Sequence, residues 1–141
     1  SVGIEVIANG DVTDSSSALK CLEATGATGL IIGRGAIGRP SIVHEIKRDL
    51  GWIDSEPPWG EGGDAIARHW CWDRYLELAQ EIYSDIPNKN LKRHAVSFTK
   101  GLQGASSMRV ELHREGDQRR LGMTVSDYLG DLISPNAVPA A

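Results

Sequence analysis

Two glycine-bearing turns constrain this chain more than any other feature. Ala8-Asn9-Gly10-Asp11 and Gly33-Arg34-Gly35-Ala36-Ile37-Gly38 each close a short apolar run, and each precedes a helix-like segment. Ile4-Glu5-Val6-Ile7-Ala8 is short and β-branched and runs into Asn-Gly-Asp, which suits a strand entering a turn. Asp14 and Ser15 offer N-caps for a helix carrying Ala18, Leu19 and Leu22 on one face, and Gly26 suits its left-handed end. Leu30-Ile31-Ile32 reads as a second, buried strand. Pro40 then suits the first turn of a helix that buries Ile42, Val43 and Ile46 and ends near Gly51. Strand, helix, strand, helix implies two parallel strands and a right-handed connection.

Residues 52–64 break this alternation. Asp54-Ser55-Glu56-Pro57-Pro58 and Gly60-Glu61-Gly62-Gly63 read as a linker between residues 1–51 and a helical domain over 65–141. Within that domain, Ile66, Trp70, Leu76, Ala79 and Tyr83 suggest a helix over 65–85. Pro87 separates it from a helix near 88–102, where Leu91, Ala95, Phe98 and Leu102 share a face. Met108 and Leu112 mark a further helix. Thr124-Val125-Ser126-Asp127 resembles a capping box ahead of Tyr128, Leu129 and Leu132, and Pro135–Ala141 reads as a frayed tail. The Trp70/Trp72 pair reads as bundle packing.

No apolar run approaches the roughly 18 residues that span a membrane. Ser1-Val2-Gly3-Ile4-Glu5 lacks the basic start of a signal peptide, and no Met opens the chain, so we read it as a piece of a longer cytoplasmic protein. Cys21 and Cys71 have neither CxxC spacing nor a His/Cys cluster around them, which suits reduced thiols rather than a metal site. The net charge of −4 hides a basic stretch: residues 89–120 hold eight Lys/Arg against three acids. On the helix near 88–102, Lys89, Arg93 and Lys100 fall opposite the apolar stripe, facing solvent or a phosphate backbone. Arg109 could join them. Arg114, Arg119 and Arg120 read as surface charge, and His44, His69, His94 and His113 are scattered, with His94 beside Arg93.

Gly33-x-Gly35-x-x-Gly38 matches the dinucleotide pattern GxGxxG, but the next helix runs into Pro57-Pro58 and no second strand follows, so a Rossmann reading is poorly supported. A purely structural glycine-rich turn is one alternative. Taken together, the two turns fit better as the phosphate site of a (β/α)8 barrel, formed by the loops after strands seven and eight. Glycines let backbone amides approach phosphate oxygens, Arg34 adds a charged fork, and Asn9 and Asp11 can bond a sugar-like hydroxyl chain.

The stretch Ile7-Ala8-Asn9-Gly10-Asp11-Val12, followed by Ala27-Thr28-Gly29-Leu30-Ile31-Ile32-Gly33-Arg34-Gly35-Ala36-Ile37-Gly38-Arg39-Pro40, resembles the barrel end of the tRNA-dihydrouridine synthases. Arg93-His94-Ala95 to Lys100-Gly101-Leu102-Gln103-Gly104-Ala105 is similar to their helical tRNA-binding domain. The resemblance runs from residue 4 to about residue 115. It leaves out residues 51–64 and Trp70-Cys71-Trp72. It implies an α/β then all-α chain: the C-terminal quarter of a TIM barrel joined to a helical bundle.

It further implies an oxidoreductase that binds FMN, takes electrons from NADPH and reduces uridine in tRNA. Asn9, Gly10 and Asp11 would contact FMN, with Gly33 and Arg34 at its phosphate. Lys89, Arg93, Lys100 and Arg109 would contact tRNA. The family's catalytic cysteine and its flavin-contacting Lys and His belong to earlier barrel strands; neither Cys21 nor Cys71 matches that position, so this chain alone should not turn over substrate. Two readings compete: a non-catalytic RNA-binding module, and another FMN-dependent barrel oxidoreductase. Two strands cannot close a barrel, so the piece should be marginal alone or self-associate through its exposed strands.

Overall fold

Two short strands open the fold of this protein. Its computed structural model describes residues 3–83 and 88–134. Strand β1 (Ile7–Asn9) pairs in parallel with β2 (Gly29–Ile31), in the register Ile7↔Gly29, Ala8↔Leu30, Asn9↔Ile31. Helix α1 (Ser15–Thr25) connects them. The Asp14 carboxylate accepts the Ser17 amide at 2.7 Å, and the Ser17 hydroxyl bonds back to the Asp14 backbone, so the helix starts on a reciprocal capping box. These bonds, the Ser17 amide first, hold the Asp14 carboxyl below the usual range. Gly26, at φ 63°, ends α1 in the left-handed region expected of it.

A 3₁₀ turn (Arg34–Ala36) and helix α2 (Ile42–Asp49) follow β2. Val12, Ala18, Ile42 and Ile46 form the core of this part, with Cys21, Leu30, Ile32, Ala36 and Leu50 against it. The strands are shorter and less covered than the sequence suggests. Ile4 and Val6 precede β1 and are exposed, and Ile31 is 54% exposed rather than buried. Paired residues in a parallel ladder share a face, so Ala8 and Leu30 look toward the helices while Ile7, Asn9 and Ile31 look away. Leu19 and Val43 are also exposed. The stripe that packs is narrower than expected, running through Ala18 and Cys21 on α1 and through Ile42 and Ile46 on α2.

The contacts divide the chain into two compact units, Ser1–Pro58 and Trp59–Ala141. The second is helical: α3 (Asp64–Ile82), α4 (Asn88–Thr99), α5 (Ala105–Arg114) and α6 (Gln118–Ile133). Trp72, Leu91, Ala95, Phe98, Leu112, Leu121, Val125 and Leu129 lead its core. Trp72 stacks edge-on against Phe98 and donates its indole N–H to the Gly122 carbonyl at 3.1 Å, satisfying its one polar atom inside the core. At Gly122, an added Cβ would stand 3.2 Å from Leu76, so this glycine suits the close approach of α3 and α6.

Three expectations need correction here. The buried stripe of α3 runs through Ala67, Cys71, Trp72 and Ala79, whereas Trp70 and Tyr83 are exposed; Trp70 leans on Trp59 instead. Thr124–Asp127 starts no helix. Asp117 caps α6 by accepting the Arg120 amide at 2.8 Å, and Leu121, Val125 and Leu129 then bury at four-residue spacing, leaving Ser126 mid-helix and bonded to Asp73. The helix near 88–102 ends at Thr99, because Gly101 turns the chain at φ 79°. Pro87 and Pro135–Ala141 lie outside the described residues.

Candidate functional site

Because β1 and β2 are parallel, both end on the same edge of the sheet, and the turns that follow them meet there. Asn9, Gly10, Asp11, Val12 and Thr13 from the first and Gly33, Arg34 and Gly35 from the second line one groove of about 450 Å³. An added Cβ on Gly35 would lie 2.1 Å from the Val12 carbonyl oxygen, so the turns approach this closely only through glycine. Gly33 opens the 3₁₀ turn, leaving the Arg34 and Gly35 amides without an acceptor inside it. Arg34 bonds Asp11 across the groove, with both side chains more than 80% exposed. A pair this solvated stabilises the fold little and leaves the guanidinium available to a stronger acceptor. All five residues singled out for this site, Asn9, Gly10, Asp11, Gly33 and Arg34, thus line a single groove. Val12 and Thr13 join them through the backbone path of the first turn, for which the sequence held no signal.

Chemically the groove offers one cation, glycine-exposed amides, an amide side chain and a carboxylate. That set suits a phosphate at one end and hydroxyls at the other. Cys21 lies beneath Gly10, its sulfur 3.5 Å from where a Cβ would stand. Both cysteines are free, and Cys71 is buried in the helical core. Among the described residues no group of three or more His, Cys, Asp or Glu could hold a metal ion, and no helix is long and apolar enough to cross a membrane.

A second concavity, of about 580 Å³, lies on the helical unit between α4 and α5. Lys89, Lys92, Arg93, Val96, Ser97 and His113 line it, and no carboxylate does. Lys89 and Arg93 meet here as expected. Lys92 and His113 were not anticipated. Lys92 donates to the His113 carbonyl at 3.0 Å, so it caps the end of α5 while adding charge to the groove. The signal for Lys92 was its three-residue spacing from Lys89. Lys100 and Arg109 are exposed but outside this lining, Lys100 because α4 stops one residue before it. His94 is half-buried against the Tyr75 ring at 5.2 Å, and burial, then the neighbouring Arg93 charge, pushes its pKa below the usual histidine range. It is therefore neutral near pH 7.

Comparison with known proteins converges on one family. The family model for dihydrouridine synthase (Dus) matches residues 1–131. A probable tRNA-dihydrouridine synthase of Rickettsia conorii is 27% identical over 139 residues, covering 96% of this chain and 40% of that protein. One from Rhodobacter capsulatus is 40% identical over 118 residues, covering 82% and 34%. One from Mycobacterium tuberculosis is 31% identical over 111 residues, covering 77% and 27%. The chain therefore spans between about a quarter and two fifths of the curated relatives it matches.

Proposed function

The chain belongs to the dihydrouridine synthase family, and from that premise we propose that it is the closing part of an FMN-dependent tRNA-dihydrouridine synthase of the cytoplasm. In this reading the first unit completes a (β/α)8 barrel as its seventh and eighth strands, and the second docks tRNA. Support for the barrel comes from the uncovered side of the sheet. Parallel strands are normally covered on both faces. Here helices cover one, while Ile7 and Ile31 stand exposed on the other. Six further strands would cover that face and pair with the free edges.

The groove at the strand ends fits FMN by chemistry and by room. Arg34, with the amides of the Gly33–Gly35 turn, would hold the phosphate; the Asp11 carboxylate would accept from the hydroxylated chain, and the Asn9 amide would donate to it or accept from it. Bound there and reduced by NADPH, FMN would supply hydride chemistry for saturating the uridine ring. The residues of this chain bind and orient it. Gly35 holds the two turns at contact distance, and Asn9 sits on the face of the sheet away from the helices. Neither Cys21 nor Cys71 lines the groove, and in this reading the proton that completes the reduction would come from the family's cysteine on an earlier barrel strand.

On the helical unit, Lys89 and Arg93 would meet tRNA phosphates, with Lys100 and Arg109 extending the contact. Such contacts position the RNA without reading its sequence, and they weaken as salt rises.

The observation that carries the reading is the convergence of two parallel strand ends on a glycine-arginine groove, in a chain of this family. The test is Arg34→Ala in the full-length protein. Loss of charge-assisted bonds worth about 1.5–3 kcal/mol should weaken FMN about 10- to 150-fold and strip the flavin absorbance on dialysis. Wild-type retention would overturn the phosphate assignment. The self-contained core of the helical unit favours one second reading, an RNA-binding module without flavin chemistry. Absence of dihydrouridine formation by the full-length protein, with tRNA affinity intact, would select it.

A further inference from the structure

The turn between α4 and α5, residues 100–104, is held more firmly than its exposure requires. Arg68 on α3 donates through one terminal nitrogen to the carbonyls of Phe98, at 3.1 Å, and Lys100, at 2.8 Å. Its Nε lies 2.7 Å from the Asp64 carboxylate, an ion pair one helical turn back along α3. From α6, the Tyr128 hydroxyl donates to the Gln103 carbonyl at 2.6 Å, and its ring lies 3.8 Å from where a Cβ on Gly104 would stand. Burial pushes the Tyr128 phenol above its ordinary range, so it stays a donor.

The bonds around this turn leave the end of α4 fully satisfied. A helix normally ends with four carbonyls lacking intrahelical donors. Here the Val96 carbonyl takes the Thr99 hydroxyl, Ser97 takes the Lys100 amide, Phe98 takes Arg68 and Thr99 takes the Leu102 amide. This matters because Lys100 stands at a helix C-terminus, the negative end of the dipole and the wrong end to meet an anion. With the carbonyls of residues 98, 100 and 103 drawn toward α3 and α6, a phosphate approaching the turn meets the exposed Lys100 and not a row of oxygens.

We propose that Arg68 and Tyr128 are positioning residues for tRNA: from two neighbouring helices they lock the α4–α5 turn and neutralise its carbonyls, so that Lys100 can hold a phosphate at the end of α4. The inference rests on the tRNA-docking reading above. Neither residue touches the RNA.

The test is a double-mutant cycle on the full-length protein, reading affinity for unfractionated tRNA across a salt series and the thermal melt of the helical signal. K100A should weaken binding about three- to tenfold and lower the salt slope by about one. R68Q should do the same, and R68Q with K100A should be no worse than either alone. R68K, a point charge without the fork, should fall between. Y128F loses one hydroxyl, keeps the ring, and should also be non-additive with K100A. K89A with R93A serves as the independent probe of the docking face. If that pair weakens binding while R68Q shifts only the melt, or adds fully to K100A, Arg68 is an ordinary helix cap and the inference is overturned with the docking reading intact. If neither the pair nor K100A changes affinity, both are overturned.

Discussion

An added Cβ at position 35 would stand 2.1 Å from the Val12 carbonyl oxygen, a backbone atom that cannot rotate away. Gly35→Ala should therefore push the two turns apart and cost about 1–3 kcal/mol. Gly29→Ala is the comparison: its new Cβ would meet only Ile7 side-chain atoms at 3.7–4.0 Å, and should change stability by less than about 0.5 kcal/mol. Thermal melts of the two variants check this; equal melts would mean that the first unit relaxes around position 35 freely. The glycine pattern was visible in the sequence, and so was Arg34. Which glycine is obligatory was not, because GxGxxG treats all three alike. The approach of a loop 23 residues earlier singles out Gly35, and a φ of 79° singles out Gly38, while a Cβ at Gly33 would meet nothing. Likewise the basic residues were legible as a helix face, but Lys92 joins Lys89 and Arg93 through a bond to the end of α5, which is a tertiary contact.

At the scale of elements, the caps and stripes tell different stories. Asp14 and Gly26 act on their own neighbours, so the ends of α1 could be read directly. The start of α6 could not. Thr124–Asp127 has the composition of a cap, yet Leu121, Val125 and Leu129 continue one buried stripe on both sides of it. Packing against α3 and α4 overrides the local signal. Leu121 is fully buried four residues from the true cap, so Leu121→Ala should destabilise the helical unit by about 2–5 kcal/mol. A loss below about 1 kcal/mol in denaturant titration would argue that α6 begins later, near residue 124. On α3, helical spacing from Ile66 put Trp70 on the buried face and the Trp70/Trp72 pair read as packing, but only Trp72 enters the core, where its indole finds the Gly122 carbonyl. An aromatic stripe alone cannot say which tryptophan has an acceptor waiting.

For the whole molecule, the two units differ in how complete they are. The helical unit draws every residue of its core from Trp59 onward, with α3 and α6 as its main packed pair. Expressed alone, residues 59–141 should keep their helicity and unfold cooperatively. A broad, non-cooperative melt would show that the core depends on the preceding residues. The first unit rests on a smaller core and leaves Ile4, Val6, Ile7 and Ile31 exposed beside a two-stranded sheet. Family membership, the alternation of strand and helix, and the candidate groove residues were all determined by the sequence itself, because local periodicity, turn chemistry and capping act over a few residues. Tertiary structure alone decided that Gly35 must touch Val12, that one face of the sheet stays bare, that α6 starts at Gln118, and that Arg68 and Tyr128 clamp a turn some 30 residues after one and 25 before the other. Those facts depend on which distant backbone atoms come within reach, and no local pattern encodes that distance.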